Sequence, residues 1–596
     1  MNPDLLSKLE SIFSHATVRY KRVDAKAIHL PMSDGTRIAV DVLLPAERKE
    51  GETFPTVMVM TRYWRSFALR FIPSPPGSAP ISANYELWNT LITRGIAVVA
   101  VDARGSGASF GAYPYPWSER ELADYGEVAR WVTQQRWSNG VIGASGNSYE
   151  GSTAQLLPAF APDITHAILS QEMELDPYED IAMPGGIFNQ AFVRAWSDSN
   201  HRQDNNKTAT FFPRLLQLLL KGVRPVDEDK DGASLRAAIA DHASNPSVYA
   251  AMDGITYRED TYLPGVTMDD FAVFKRREAI EASGAVLFNW GSWMDSRTAE
   301  SVLNRFNTFS NPQIAIISAS SHDGSQNADP YAAGQPPSPT PAEMREIQAR
   351  YFSTFLKADA ATPRKRLIYY TMGAGEWRES DVWPPAGIQS ERWYIGAGKT
   401  LSRALANSDG ADPYRVDFTA STGKFNRWVT GLVKPVRYGN RAAQIAKLLS
   451  YTSAPLEADT EITGHPQVQV MLQSTHADGA LYIYLQCVDA HGVVRYLTEG
   501  QLRLIHRKVA DSAPYWTGGI YHSCRHEDAA PFPVGQFETV SMSLYPLSVV
   551  VPRGSRFCLS IAGHDSDTFR RIPAQGTPTF TVDWKGTWLD LPVKRA

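Results

Sequence analysis

A serine on a glycine-flanked corner, an aspartate and a histidine are the residues of this 596-residue chain whose types and order fit nucleophilic catalysis. The motif Gly146-Asn147-Ser148-Tyr149-Glu150-Gly151 sets Ser148 between an expected strand and an expected helix. On so sharp a turn the hydroxyl projects into open space and the glycines let backbone pass without a Cβ clash. The first N–H groups of the helix can then face a developing oxyanion. Taken alone, these six residues fit a glycine-rich surface turn equally well. A serine hydroxyl needs a base to take its proton, and the base works best when an acid fixes its tautomer. On a parallel sheet the expected chain order is serine, acid, histidine, each beyond a strand end. Asp295 closes Gly291-Ser292-Trp293-Met294-Asp295 after the apolar run 284–290, and His322 lies in Ser321-His322-Asp323-Gly324 after the run 313–319. The interval between them leaves room for a return helix over 297–308. Asp323 is the weaker acid, because a sequence neighbour struggles to reach the far side of the imidazole.

Such a site needs strands that end together, and the first half of the chain reads that way. Residues 27–44 form a hairpin about Ser33-Asp34-Gly35-Thr36. The runs 55–60 and 96–101 are continuously apolar, as in strands buried on both faces. Leu122, Tyr125, Val128, Ala129 and Val132 recur at helical spacing within 119–135, and 140–144 leads into the serine corner and a second helix. This alternation predicts a mostly parallel sheet with helices on both faces. Residues 176–276 read as a helical insertion, with helices over 211–222 and 233–243. A helix over 342–358 and a last strand over 364–373 complete the sheet. Beyond Trp393 apolar residues alternate with polar ones, as at Val468, Val470 and Leu472 and again at Leu481, Ile483, Leu485 and Cys487. That period of two predicts a β-sandwich, most simply a jelly roll. The expected units are 1–175 and 277–388 for the interrupted α/β domain, 176–276 for the cap, and 389–596 for the jelly roll.

Composition narrows the function. Hydrophobic content of 43%, aromatics of 11% and a net charge of −4 describe ordinary globular cores. With no basic stripe, neither nucleic acid nor an anionic membrane is an expected partner. There is no apolar leader segment and no run near ~20 apolar residues, which predicts a cytoplasmic protein. Cys487, Cys524 and Cys558 are too few for a disulfide framework and are expected to be reduced and buried. Gly396-Ala397-Gly398-Lys399-Thr400 has a P-loop tail, but Trp393 stands where the first glycine belongs. Gly105-Ser106-Gly107 continues to Phe110 and two prolines rather than into a dinucleotide-binding helix. His522, Cys524 and His526 share a strand face but lack a fourth ligand, so neither metal nor cofactor is expected.

With these residues in place, nearly the whole chain resembles the hydrolase family of cocaine esterase, the α-amino acid ester hydrolases and the X-prolyl dipeptidyl peptidases (CocE/NonD). The resemblance rests on G-x-S-Y-x-G at Ser148, G-x-W-x-D ending at Asp295 and the strand and loop ending at His322. It also rests on V-D-A-R-G-S-G at 101–107, W-Y-I-G-A-G-K-T-L-S at 393–402 and V-V-V-P-R-G-S-R-F-C-L-S-I-A-G at 549–563. It implies an α/β-hydrolase fold with an inserted helical cap and a C-terminal jelly roll. It further implies Ser148, Asp295 and His322 as catalytic triad, and the Tyr149 amide with the Tyr63 hydroxyl as oxyanion hole. Trp196 would be an aromatic substrate contact, with a core tryptophan the equal alternative. The family's Gly-Pro-Trp before the histidine is replaced here by Ser318-Ala319-Ser320-Ser321. The extra carboxylates that follow the aspartate in amino-ester hydrolases are replaced by Ser296-Arg297-Thr298, so an α-amino ester preference is not expected. Arg297 could instead meet a substrate carboxylate, or simply lie on the next helix. The expected reaction is hydrolysis of a small-molecule ester or amide through an acyl-enzyme. Acyl transfer and X-prolyl peptide cleavage would use the same triad, and a ligand- or carbohydrate-binding protein with a degenerate hydrolase domain is the rival of another class. Oligomeric state is left open.

Overall fold

The apolar runs of the first half pair into one ten-stranded sheet in the computed structural model, which describes residues 3–71, 78–209, 214–357 and 360–594. The strands are β1 (Val23–Pro31), β2 (Arg37–Pro45), β3 (Phe54–Thr61), β4 (Ala97–Asp102), β5 (Ser138–Asn147), β6 (Thr165–Gln171), β7 (Val286–Ser292), β8 (Gln313–Ser318), β9 (Arg366–Thr371) and β10 (Glu376–Ser380). Their order across the sheet is β1-β2-β4-β3-β5-β6-β7-β8-β9-β10. β4, β3, β5, β6, β7, β8 and β9 run parallel, and β1, β2 and β10 are antiparallel additions at the two edges. Every residue of β4 is buried, as a strand covered by helices on both faces must be.

The helices that cover the sheet have legible starts. α1 (Glu119–Thr133) begins at Ser118, whose side chain accepts from the Glu121 amide, and it buries the stripe Leu122, Tyr125, Val128, Ala129 and Val132. α2 (Tyr149–Phe160) leaves the serine corner. In the cap, α3 (Gln190–Asp204) starts at Asn189, and α4 (Thr298–Thr308) connects β7 to β8. α5 (Pro341–Phe355) opens on a Thr340/Glu343 capping box with proline at its first position. Residue 358, the expected end of that helix, lies outside the described residues.

Several expectations change. β6, spelled THAILSQ, was not singled out in the sequence, yet it sits mid-sheet between β5 and β7. β9 is not the last strand, because β10 pairs beyond it. The insertion contains strands as well as helices: Phe67–Leu69 pairs with Leu220–Val223, and Thr261–Leu263 with Val266–Thr267. Of the helix expected over 211–222, residues 211–213 lie outside the described residues, Arg214–Leu219 is helical, and the chain then turns into the strand Leu220–Val223.

Thirteen strands between Ile388 and Lys594 form the C-terminal sandwich. In Gln467–Ser474 burial alternates residue by residue, as its period-two sequence requires. The first strand of the sandwich is Ile388–Gly396, which starts ahead of Trp393, the residue beyond which the alternation was read. All three cysteines are buried and free. The row at His522, Cys524 and His526 does not converge: both His522 ring nitrogens contact backbone carbonyls, of Lys508 and Ser541, and His526 packs edge-on against Tyr257. No helix among the described residues is long and apolar enough to cross a membrane.

Candidate active site

β5 ends in a strained corner. Ser148 has φ 62° and ψ −128°, a conformation that costs a residue with a side chain on the order of 1–3 kcal/mol. Close packing holds it there. The Ser148 amide donates to the Gln171 carbonyl at 2.9 Å, tying the corner to the end of β6. A Cβ on Gly146 would stand 2.1 Å from the Glu150 carbonyl carbon, so the chain can double back only if that residue is glycine. The Tyr149 amide is the first of α2 and has no acceptor one turn earlier in the helix.

The loops after β7 and β8 bring Asp295 and His322 together. Nδ1 of His322 is 2.7 Å from Oδ2 of Asp295, which is completely buried. His322 is fixed from two further sides: its amide donates to Thr430 Oγ1 of the sandwich at 3.1 Å, and its carbonyl accepts from Asn147 Nδ2, the residue before the serine, at 3.2 Å. Its Nε2 is buried without a hydrogen-bond partner among the described residues. Burial alone would lower the His322 pKa, but the charge and hydrogen bond of Asp295 outweigh it and raise the imidazole above its usual value. Asp323 turns away and caps its own loop, accepting from the Ser321 and Ser325 hydroxyls.

Tyr63 follows β3 and lines the same cavity as Ser148. Trp196 Nε1 on α3 donates to its hydroxyl at 2.7 Å, so the phenolic proton is directed elsewhere. Burial raises its pKa, and the group remains a donor. Beneath it, Arg65 is entirely buried and pairs with Asp41 at 2.8 Å and Asp102 at 2.6 Å. Asp102 also accepts from the Arg65 and Ala108 amides, and a Cβ on Gly107 would lie 2.3 Å from its carboxylate. The V-D-A-R-G-S-G turn is thus shaped around this carboxylate. Tyr149 is anchored in turn: its hydroxyl donates to Glu121, it receives from Tyr113 at 3.0 Å, and Trp117 stacks on its ring at 4.8 Å. Burial pushes the Glu121 pKa up to about 7.

The cavity is walled by Tyr63, Trp117, Phe192, Trp196, Met252 and Phe271, with the Glu174 carboxyl as its charged-type group. Arg297 is not part of it. Its guanidinium is held by Glu179 at 2.5 Å and Glu300 at 2.8 Å, over the Tyr545 ring, in a separate cavity against the sandwich. The expectation that it could meet a substrate carboxylate is therefore corrected, since two carboxylates already neutralise it. Glu121, Glu172, Glu174 and Thr430 carried no sequence signal; only a pair of glutamates just past an unrecognised strand could have drawn attention to Glu172 and Glu174.

If Tyr63 donates to the oxyanion, Tyr63→Phe should lower kcat about 10²- to 10³-fold while KM stays within a few-fold. Steady-state kinetics on a p-nitrophenyl ester would check this, and an unchanged kcat would remove Tyr63 from the oxyanion hole.

Residues 34–324 match the family model described as X-Pro dipeptidyl-peptidase (S15 family), and residues 359–587 match its C-terminal non-catalytic domain. A Mycobacterium bovis chain named as a serine esterase is 33% identical over 608 residues, covering 96% of both chains. Cocaine esterase from a Rhodococcus species is 23% identical over 521 residues, 81% of this chain and 83% of that one. Among solved structures, a CocE/NonD family hydrolase from Staphylococcus aureus superposes with a TM-score of 0.67 at 17% identity, covering 98% of each chain.

Proposed function

The chain belongs to the X-Pro dipeptidyl-peptidase (S15) and CocE/NonD family of serine hydrolases, and from that premise we propose that it cleaves carboxylic esters through an acyl-enzyme on Ser148. The observation that carries this reading is the 2.7 Å contact of His322 Nδ1 with buried Asp295, which leaves Nε2 unpartnered in the loop that Asn147 ties to the serine corner.

His322 Nε2 takes the Ser148 proton as Oγ attacks the acyl carbon, and Asp295 holds the tautomer and stabilises the imidazolium. Negative charge on the carbonyl oxygen is met by the Tyr149 amide and the Tyr63 hydroxyl. His322 returns its proton to the departing alcohol, then activates water against the acyl-serine. The aromatic walls of the cavity favour an apolar acyl or aryl group over a charged one.

The decisive measurement is turnover of p-nitrophenyl butyrate together with labelling by a fluorophosphonate. Wild type should hydrolyse the ester and take up one label per chain, and Ser148→Ala should do neither. Release of dipeptide from an Xaa-Pro anilide with no ester turnover would move the reading to a peptidase.

Because the base form of His322 is the reactive one and its pKa is raised, the acid limb of kcat/KM should fall at a pH above the usual imidazole value of about 6.5. A limb at or below that value would mean that burial, rather than Asp295, governs the imidazole.

A further inference from the structure

The acid of this site has one oxygen that no fixed donor reaches. Asp295 Oδ2 takes the imidazole, but Oδ1 is buried with no N–H or O–H donor among the described residues. Leaving a buried carboxylate oxygen unsatisfied is costly, and charged groups bear more than the ~1–3 kcal/mol of a neutral one. The side chain of Glu172 lies against it. Glu172 is 2% exposed, and Thr298 Oγ1, 2.7 Å from its Oε2, is also 3.0 Å from the Asp295 carbonyl, which brings the two acidic residues together; burial and the Asp295 charge beside it push the Glu172 pKa well up.

The backbone is bent to bring it there. Glu172 directly follows β6 with φ 41°, a left-handed conformation that a residue with a side chain adopts at a cost of on the order of 1–3 kcal/mol. Its amide is held by the Trp290 carbonyl at 2.8 Å, so β7 fixes the residue beside the loop that carries Asp295. The titratable groups around the pair are His322 on Asp295, Glu174 in the cavity wall and Asp323 on the histidine loop, with no cation pairing Glu172 among the described residues. Two ionised carboxylates cannot share such a dry site, so one proton must lie between them.

We propose that Glu172 is kept as the neutral acid and donates its carboxyl proton to Asp295 Oδ1, making it a positioning residue for the acid of the triad. The pair then carries one negative charge, and it is Asp295 that holds it, turned toward Nδ1 of His322. Thr298 closes the other side of Glu172, so the carboxyl has a donor on one oxygen and an acceptor for the other. This rests on Asp295 and His322 acting as acid and base, and the protonation of Glu172 can be read without any turnover.

Infrared difference spectra in D2O at pH 7, wild type minus Glu172→Gln, should show the carbonyl band of one buried carboxylic acid, in the Ser148→Ala background as well. Kinetically, Glu172→Gln keeps a donor and should stay within a few-fold of wild-type kcat. Glu172→Leu removes the donor and should lose about 10- to 100-fold in kcat at little change in KM, with the acid limb of kcat/KM moved to higher pH because the bare carboxylate holds the imidazolium more tightly. No acid band in the difference spectrum would overturn the proposal. So would an acid limb displaced to lower pH in Glu172→Gln, which would mean that a second charge had been removed, or a Glu172→Leu enzyme that folds and matches wild type throughout. If Ser148→Ala left ester turnover intact, the triad reading would fail instead, while the infrared band would still report on Glu172.

Discussion

Ser148→Ala should lower kcat by about 10⁶-fold, and His322→Ala by nearly as much, while the double variant loses little more than either one. In the proposed mechanism the two side chains act as a unit: without the hydroxyl there is nothing for Nε2 to deprotonate, and without Nε2 the hydroxyl is an unactivated alcohol. Residual turnover of ~10³–10⁴ over water should persist, supplied by the Tyr149 amide, Tyr63 and binding in the aromatic cavity. Stability should hardly move in Ser148→Ala, because only one oxygen is removed and the strained backbone stays pinned by Gln171 and by the clearance at Gly146. Pre-steady-state kinetics on a p-nitrophenyl ester with melting curves for all three variants would check this. Additive losses in the double variant would mean that the two residues do not share a step.

Arg65→Ala should be the most damaging substitution for the fold outside the apolar core. It would strand Asp41 and Asp102, both buried, and removing one partner of a buried ion pair costs on the order of 3–5 kcal/mol. The damage should extend to catalysis, because Arg65 lies two residues beyond Tyr63 and the same carboxylate that pairs with its guanidinium also holds its amide and the Ala108 turn. Urea melts of the variant should give a markedly lower midpoint together with reduced kcat. Adding Asp41→Asn and Asp102→Asn to Arg65→Met should recover much of the stability, since no uncompensated charge then remains. A loss below about 1 kcal/mol for Arg65→Ala would show that water reaches the site and screens the two carboxylates.

The chain states its local structure clearly. Continuous apolar runs become β3 and β4, the helical periodicity within 119–135 becomes α1, and alternation at Val468, Val470 and Leu472 becomes a strand of the sandwich. β6 escaped because seven residues of mixed polarity carry no period long enough to separate from a loop. The cap was misread in detail for a related reason: its strand Leu220–Val223 is stabilised by a partner far along the chain, Phe67–Leu69, rather than by its own sequence.

For the site, the sequence by itself determined the candidates and their addresses: a serine between glycines, then an aspartate and a histidine after later strand ends, in the order that a parallel sheet demands. Strand ends can be found from local periodicity, so residues that depend only on being at one are legible. What only the tertiary structure decided is how the buried polar groups pair. It set Arg297 between Glu179 and Glu300 rather than at the cavity, tied His322 to Thr430 of the sandwich, placed Glu121 under Tyr149, and brought Glu172 against Asp295. Except for Glu300, three residues from Arg297, these partners lie tens to over a hundred residues apart, and a charged side chain carries no local mark of what will neutralise it. Burial forces each one to find a partner, and which partner it meets is settled only when the sheet, cap and sandwich close on one another.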